Sequence, residues 1–428
     1  MAAYVRKLER RWLPRQGLGV TLVHEEEVRE QLDSGELASY AVPGPWHLCT
    51  TSEPTAATRL FLAHVCEEQP GGSGGISHPR SPEGVNTRSG PGHILVDMTT
   101  TTRTNVPTLA ETAQRMTGGG RGILAADESI KTMSARLEQA GVPASATARR
   151  DYRELLLTAD GLSESVSGII LADETFGQQL DDGRSFPDAA RELGILPGIK
   201  VDTGTTPLPG QGGALITEGL DGLGARLASY AERGAAFAKW RAVFDVPTIT
   251  PYTAAVNGHA LARYAALCQE HGIVPIVEPE VLCTGDHDLA ASAQVTRLAL
   301  GSVFAELDQA GVDLTGIVLK PNFVTPGLAA SPATAQTVAA ATFEVLRDTV
   351  PSAVPGIAFL SGGNATADVC EFLSELNAIP ERPWQVTFSF GRALVSDALR
   401  IWAGDTVNVP AAQKALLDNC RSAANATR

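Results

Sequence analysis

From Gly122 onward the chain alternates eight times between apolar runs of strand length and longer segments of helical periodicity, a pattern that few folds accept. The runs span 122–128, 167–175, 198–202, 237–244, 274–280, 316–322, 357–363 and 385–392; segments such as 260–268 and 295–307 between them repeat their apolar residues at helical spacing. Eight alternations over about 270 residues match the size and order of an α/β chain closed into a (β/α)₈ TIM barrel. An open doubly wound sheet is the structural competitor, but no Gly-x-Gly-x-x-Gly turn follows the first run, so a dinucleotide site has no support.

Nearly every run begins with Gly or an apolar residue and finishes with a charged or hydroxyl group: Asp127, Glu174, Asp202, Lys239, Glu278, Lys320, Ser361 and Arg392. In a parallel barrel such ends converge on one mouth, where catalytic groups of this fold are found. The period of two puts Lys239 with Arg241, and Glu278 with Glu280, on one face of their strands.

A lone lysine closing a strand ordinarily reaches back to water. Lys320, in the run Gly316-Ile-Val-Leu-Lys-Pro-Asn322, has company: a second lysine, Lys239, and two carboxylates, Glu278 and Glu280, close other runs. A lysine that attacks a carbonyl must be neutral, and a free one, with a pKa of about 10.4, is almost wholly protonated at pH 7. Desolvation and a neighbouring cation lower that value, so Lys239, if it faces Lys320 across the barrel, prepares it as a nucleophile. Carbinolamine formation, its dehydration and a later carbon–carbon step each move a proton, which a glutamate beside the lysine can carry. Leu360-Ser-Gly-Gly363 and Phe390-Gly-Arg392 bring a hydroxyl, exposed amides and a guanidinium to the ends of the seventh and eighth runs, where barrels often hold phosphate.

The net charge of −14 and pI of about 5.1 leave no general basic footprint for nucleic acid, so positive charge for an anionic substrate must be concentrated locally. The six cysteines, Cys49, Cys66, Cys268, Cys283, Cys370 and Cys420, stand singly, as reduced thiols of a cytoplasmic protein do. No signal-peptide core follows the charged N-terminus, and the apolar run 60–66 is too short to span a bilayer, so no membrane partner is expected. Asp286-His287-Asp288 reads as a solvated loop rather than a metal site, because no second histidine-rich strand end accompanies it. His259 and His271 fall in helical segments as surface or packing residues.

Residues 1–97 differ from the rest. A weak amphipathic piece over 25–37 precedes a Gly/Ser/Pro/Arg-rich run through 70–92 with the composition of a disordered linker, and no compact domain is expected there. Met98, followed by five threonines in six residues and then an amphipathic helix over 109–116, is an alternative start of translation; the preceding extension is then a gene-model artefact, and otherwise a regulatory or tethering tail. The domain division expected is 1–97 as extension and 98–428 as barrel.

Six motifs, in order, carry a family resemblance: Gly122-Ile-Leu-Ala-Ala-Asp-Glu-Ser129, Phe237-Ala-Lys-Trp-Arg241, Ile276-Val-Glu-Pro-Glu280, Leu319-Lys-Pro-Asn322, Leu360-Ser-Gly-Gly363 and Gly391-Arg-Ala-Leu394. Together they resemble class I fructose-bisphosphate aldolase over the stretch from about Leu109 to about Ala423. The resemblance implies reversible cleavage of fructose 1,6-bisphosphate to dihydroxyacetone phosphate and glyceraldehyde 3-phosphate in glycolysis and gluconeogenesis, through an iminium on Lys320, without cofactor or metal, in a homotetramer. By motif position Glu278 is the general acid/base, Lys239 the assisting cation, Asp127 the carboxylate that orients substrate hydroxyls, and Glu280 the support of the lysine pair. Ser361, Gly362, Gly391 and Arg392 hold the phosphate nearer the carbonyl, while Ser129, Thr132, Arg136 and Arg241 line the rest of the cleft.

Departures from the family pattern bear on the far end of the substrate. The family usually has a lysine at the position of Thr203 that helps bind the distal phosphate, and another at Ala135; Lys131, where glycine is usual, is expected to restore part of the charge. No longer tail with a terminal tyrosine follows, so the protonation assigned to that tyrosine falls to another group. An altered distal site also admits another ketose phosphate, such as sedoheptulose 1,7-bisphosphate, as main substrate. A non-catalytic scaffold on the same fold is the reading of another class, against which the retention of Lys239, Glu278 and Lys320 counts.

Overall fold

The computed structural model describes residues 107–428 and, before them, the backbone of three strands, Val20–His24, Ala38–Val42 and Trp46–Thr50. The chain divides into two compact units, 1–100 and 101–428. In the first, the three strands pair antiparallel with the third in the middle, Val20 opposite Thr50 and Ala38 also opposite Thr50. The sequence reading does not anticipate these strands; they lie outside the Gly/Ser-rich run, and residues such as Val20, Thr21, Tyr40 and Trp46 have the β-branched and aromatic character that favours extended chain. The helix expected over 25–37, the run 70–92 and Met98 fall outside the described residues.

The second unit is a closed barrel of eight parallel strands: β1 (Gly122–Ala126), β2 (Val166–Leu171), β3 (Leu196–Lys200), β4 (Phe237–Phe244), β5 (Val274–Val281), β6 (Val318–Leu319), β7 (Gly356–Phe359) and β8 (Gln385–Phe390). They pair in chain order, and β8 closes on β1 through Ser389 beside Ile123 and Phe390 beside Leu124. Helices follow the strands, among them Pro251–Glu270, which contains the expected 260–268, and Leu289–Gln309, which contains 295–307.

Alternation along each strand sorts side chains into two apolar clusters. Ile123, Ala125, Ile170, Phe237, Val274, Ile276, Val318 and Ala358 form the inner one, while Leu124, Ala126, Ala238, Trp240 and Val277 join the outer one beneath the helices. The Leu109–Thr117 helix contributes Ala113 and Met116 to the inner cluster. Thr108 caps that helix, its hydroxyl accepting from the Glu111 amide at 3.2 Å while the Glu111 carboxylate accepts from the Thr108 amide at 2.7 Å. Gly198 shows how tightly the interior is filled. A Cβ there would lie 2.1 Å from the Phe237 ring, so only glycine leaves room for that aromatic.

Continuing the inner rows toward the C-terminal ends of the strands leads from apolar to charged residues: Ile123 and Ala125 to Asp127, Phe237 to Lys239 and Arg241, Ile276 to Glu278 and Glu280, Val318 to Lys320. The expected ends Asp127, Asp202 and Ser361 lie one or two residues past β1, β3 and β7, and three other expectations are corrected further. β6 is only two residues long, because Gly316 ends a 3₁₀ turn and Pro321 has no N–H to continue the ladder; the Lys320 amide still donates to the Val277 carbonyl at 2.8 Å. Glu174 lies in the helical turn Asp173–Phe176, not on β2, and Arg392 opens the Arg392–Trp402 helix rather than closing β8.

Candidate active site

A cavity of about 380 Å³ opens at the mouth of the barrel, within the range of small-molecule sites. Its lining includes Asp127, Lys239, Glu278, Glu280 and Lys320 at the centre, Ser129, Thr132, Arg136 and Arg241 around them, and Ser361, Gly362, Gly391 and Arg392 at the β7–β8 side. All thirteen residues expected from the sequence as catalytic or substrate-binding are therefore brought together. Lys131 is not: it is exposed on the Ile130–Gln139 helix and does not line the cavity. Glu174 is also outside the lining, bound at 2.6 Å by Arg149 of the Ala146–Leu157 helix.

Lys239 and Lys320 do not face one another across the barrel. They flank β5, and Glu278 stands between them, one carboxylate oxygen 3.2 Å from Lys320 Nζ and the other 3.2 Å from Lys239 Nζ. Lys239 Nζ also holds Asp127 Oδ2 at 2.7 Å, which chains four buried charged groups together: Asp127, Lys239, Glu278 and Lys320. Glu278 Oε2 is buried, and its approach to Lys239 is an ion pair without hydrogen-bond alignment, so a lone pair remains for a proton or a substrate hydroxyl.

Burial alone would push the Asp127 carboxyl up, but Lys239, and behind it Lys320, outweigh that effect and hold it down at about 2. Burial acts in the same sense on Glu278, and Lys239, Lys320 and Arg241 again prevail, so its pKa lies below the usual carboxylate value. Burial disfavours charge on Lys239, yet Asp127, Glu278 and Asp202 raise its pKa above the ordinary lysine value. Lys239 is thus a fixed cation, and both carboxylates are ionised at neutral pH.

The cations of the lining differ in their company. Arg136 pairs with Glu128, Arg241 with Glu280, Lys200 with Asp202 at 2.7 Å, and Lys239 and Lys320 share Glu278. Among the described residues, Arg392 alone of the lining cations has neither a carboxylate partner nor a hydrogen bond. It sits at the N-terminus of its own helix, whose cap, Gly391, supplies no side chain, and across from it Gly362 and Gly363 take left-handed φ of 58° and 97° after Ser361. Free amides at a helix start, a glycine turn and an unpaired guanidinium make a site for an anion.

A family model for fructose-bisphosphate aldolase class-I matches residues 108–428 of the chain. The chain belongs to the class I fructose-bisphosphate aldolases. It is 49% identical over 314 residues to a fructose-bisphosphate aldolase of Schistosoma mansoni, a match that covers 72% of this chain and 86% of that one. With the Drosophila melanogaster fructose-bisphosphate aldolase it shares 46% identity over 324 residues, 75% of this chain and 90% of the relative. A solved structure of Plasmodium falciparum fructose-bisphosphate aldolase, in complex with TRAP and a small-molecule inhibitor, superposes with a TM-score of 0.73 at 40% identity, covering 74% of this chain and 93% of that one.

Some lining residues of the aldolase escaped the sequence reading. Lys200 closes β3 and lies in the same inward row as Asp202, whereas Thr203, of opposite parity, is exposed and outside the cavity. The period of two, applied backwards from Asp202, was the signal that could have found it. Ser389 lines the cavity from β8 with its hydroxyl buried and without a hydrogen-bond partner; it stands two residues before Gly391, on the same inward row. Glu128, Thr205 and Gly204 also line the cavity, with Ala125, Asp202 and Leu360. Among the described residues, no three His, Cys, Asp or Glu side chains cluster as metal ligands, Asp286, His287 and Asp288 included. No helix among them is long and apolar enough to cross a membrane.

Proposed function

We propose that Lys320 forms the Schiff base of this aldolase, with Glu278 as its proton carrier. The observation that carries the assignment is the shared carboxylate: Glu278 lies 3.2 Å from Lys320 Nζ and is held ionised by Lys239. Transfer of one ammonium proton from Lys320 to Glu278 yields a neutral amine beside a carboxylic acid. The amine attacks the ketone carbon of fructose 1,6-bisphosphate and passes one proton to the former carbonyl oxygen, and the acid returns its own proton to that oxygen as it leaves as water, giving the iminium. Asp127, ionised and facing Lys239, accepts from the substrate hydroxyls next to the scissile bond. Glu278, a carboxylate again, takes the proton of the hydroxyl at the breaking bond, the bonding pair flows into the iminium to give an enamine, and glyceraldehyde 3-phosphate departs. Protonation of the resulting enamine and hydrolysis release dihydroxyacetone phosphate.

Arg392, the Gly391 amide, Ser361 and Gly362 take the phosphate nearer the carbonyl, supported by their place just past the ends of β7 and β8 and by the unpaired charge of Arg392. Lys200, on β3 at the opposite side of the ring from β7, and Arg136 with Ser129 and Thr132, take the distal phosphate. Lys200 supplies the charge that Thr203 does not, a role first expected of Lys131. Ser389 Oγ, buried and unpartnered, is available to the substrate between these anchors. Arg241, held by Glu280, walls the cleft. From the family likeness we infer a cytoplasmic homotetramer.

Borohydride reduction in the presence of dihydroxyacetone phosphate tests the central assignment. The expected product is a single covalent adduct on Lys320, absent in the Lys320→Met variant; folded wild-type protein that gives no adduct there would overturn the reading.

A further inference from the structure

Arg153 is 2% exposed, lies outside the cavity, and places its guanidinium beneath the strand end that leads to Asp127. Its Nε donates to the Ala126 carbonyl at 2.6 Å and its Nη1 lies 3.0 Å from the Met133 sulfur. The remaining nitrogen, Nη2, binds Glu128 Oε2 at 2.5 Å. The other oxygen of Glu128, Oε1, takes Nη1 of Arg136, and both Glu128 and Arg136 line the cavity. One carboxylate is thereby shared between two guanidiniums, one buried and one at the cleft.

We propose that Arg153 and Glu128 are positioning residues that hold Arg136 in place for the distal phosphate of the substrate. Arginine is long and flexible, and an unrestrained guanidinium at the cleft would lose that freedom on binding. Here the restraint is already made: β1 backbone fixes Arg153, Arg153 fixes Glu128, and Glu128 fixes Arg136. The electrostatics fit the role. A one-to-one pair is neutral, but two arginines on one glutamate keep a net positive charge, so Arg136 is tethered without its attraction for a phosphate being cancelled. Glu128 bridges the two guanidiniums because its carboxylate has an oxygen for each. Glutamine keeps the shape of that bridge but turns one oxygen into a donor, which faces a guanidinium that has only donors of its own.

The inference rests on the assignment of Arg136 to the distal phosphate, and steady-state kinetics on the full chain separate the two. Glu128→Gln should raise KM for fructose 1,6-bisphosphate about tenfold, with less than a twofold change in KM for fructose 1-phosphate and in kcat for either. Arg136→Ala should give the same pattern, and the double variant should be no worse than Arg136→Ala alone. If Arg136→Ala spares both KM values, the assignment of Arg136 fails; if it raises KM for the bisphosphate and Glu128→Gln does not, the relay fails. Equal rises with both substrates, or additive effects in the double variant, would also overturn it. Should Glu128→Gln not fold, Arg153→Lys retains the buried charge while losing the fork that serves Ala126 and Glu128 together, and the same selective rise in KM is expected.

Discussion

At the β7–β8 side of the cleft Arg392 stands without a carboxylate partner, whereas at the β1–β3 side Lys200 is bound to Asp202 and Arg136 to Glu128. An anion arriving at the first end displaces only water. At the second, Lys200 is already compensated by Asp202, and only Arg136, whose Glu128 is shared with Arg153, keeps uncancelled charge, so the net gain is smaller. Both ends carry positive charge; they differ in how much of it remains to be used. The difference suits the proposed reaction, in which one half of the substrate stays attached to Lys320 while the other half leaves first.

The largest effect is expected at the unpaired end. Arg392→Ala should lower kcat/KM by about two orders of magnitude for both fructose 1,6-bisphosphate and fructose 1-phosphate, from loss of charge-assisted bonds worth about 3 kcal/mol. A loss confined to the bisphosphate would reverse the assignment of the two ends. Lys200→Met is the counterpart: about a tenfold loss for the bisphosphate and little change for the 1-phosphate, since a partly compensated cation has less to contribute. If Lys200→Met matched Arg392→Ala in size and in its indifference to substrate, the comparison would collapse.

Between the ends, Asp127 supplies a test by pH. Its folded pKa, about 2, lies below the unfolded value of about 3.9, so the stability it contributes is present above about pH 4 and is lost as the pH falls from there toward 2. The melting temperature of the wild type should therefore drop more steeply across that window than that of Asp127→Asn, by a few degrees. Parallel curves would mean that the contact with Lys239 is not what holds Asp127 ionised. The smallest effect concerns Lys131, which lies outside the cavity: Lys131→Ala should change kcat/KM by less than twofold for either substrate, and a selective loss for the bisphosphate would show that charge beyond the lining also anchors the distal phosphate.

The barrel and the centre of its site are legible in the sequence because both follow a local rule. Side chains alternate along a strand, so an apolar row that turns charged, as Ile276 does into Glu278 and Val318 into Lys320, announces an inward face and a mouth. The same rule misleads where the strand stops early. Glu174 is counted as a mouth residue from its run, but the chain has already entered a helical turn, and Arg149 takes the carboxylate away from the cleft. Thr203 and Lys131 draw attention as departures from a family pattern, yet parity turns Thr203 out of the cavity and the Ile130–Gln139 helix leaves Lys131 in solvent.

Sequence alone determined the fold class, the family, and the convergence of Lys239, Glu278 and Lys320, because strand period and motif order are properties of neighbouring residues. Only the tertiary structure decided that Glu278 stands between the two lysines, that Lys200 supplies a cation at the far side, that Arg153 reaches Glu128 from beneath the cleft, and that Arg392 alone among the lining cations is unpaired. Those facts depend on distances between residues far apart in the chain, and closure of the barrel, which brings β8 back to β1, sets them.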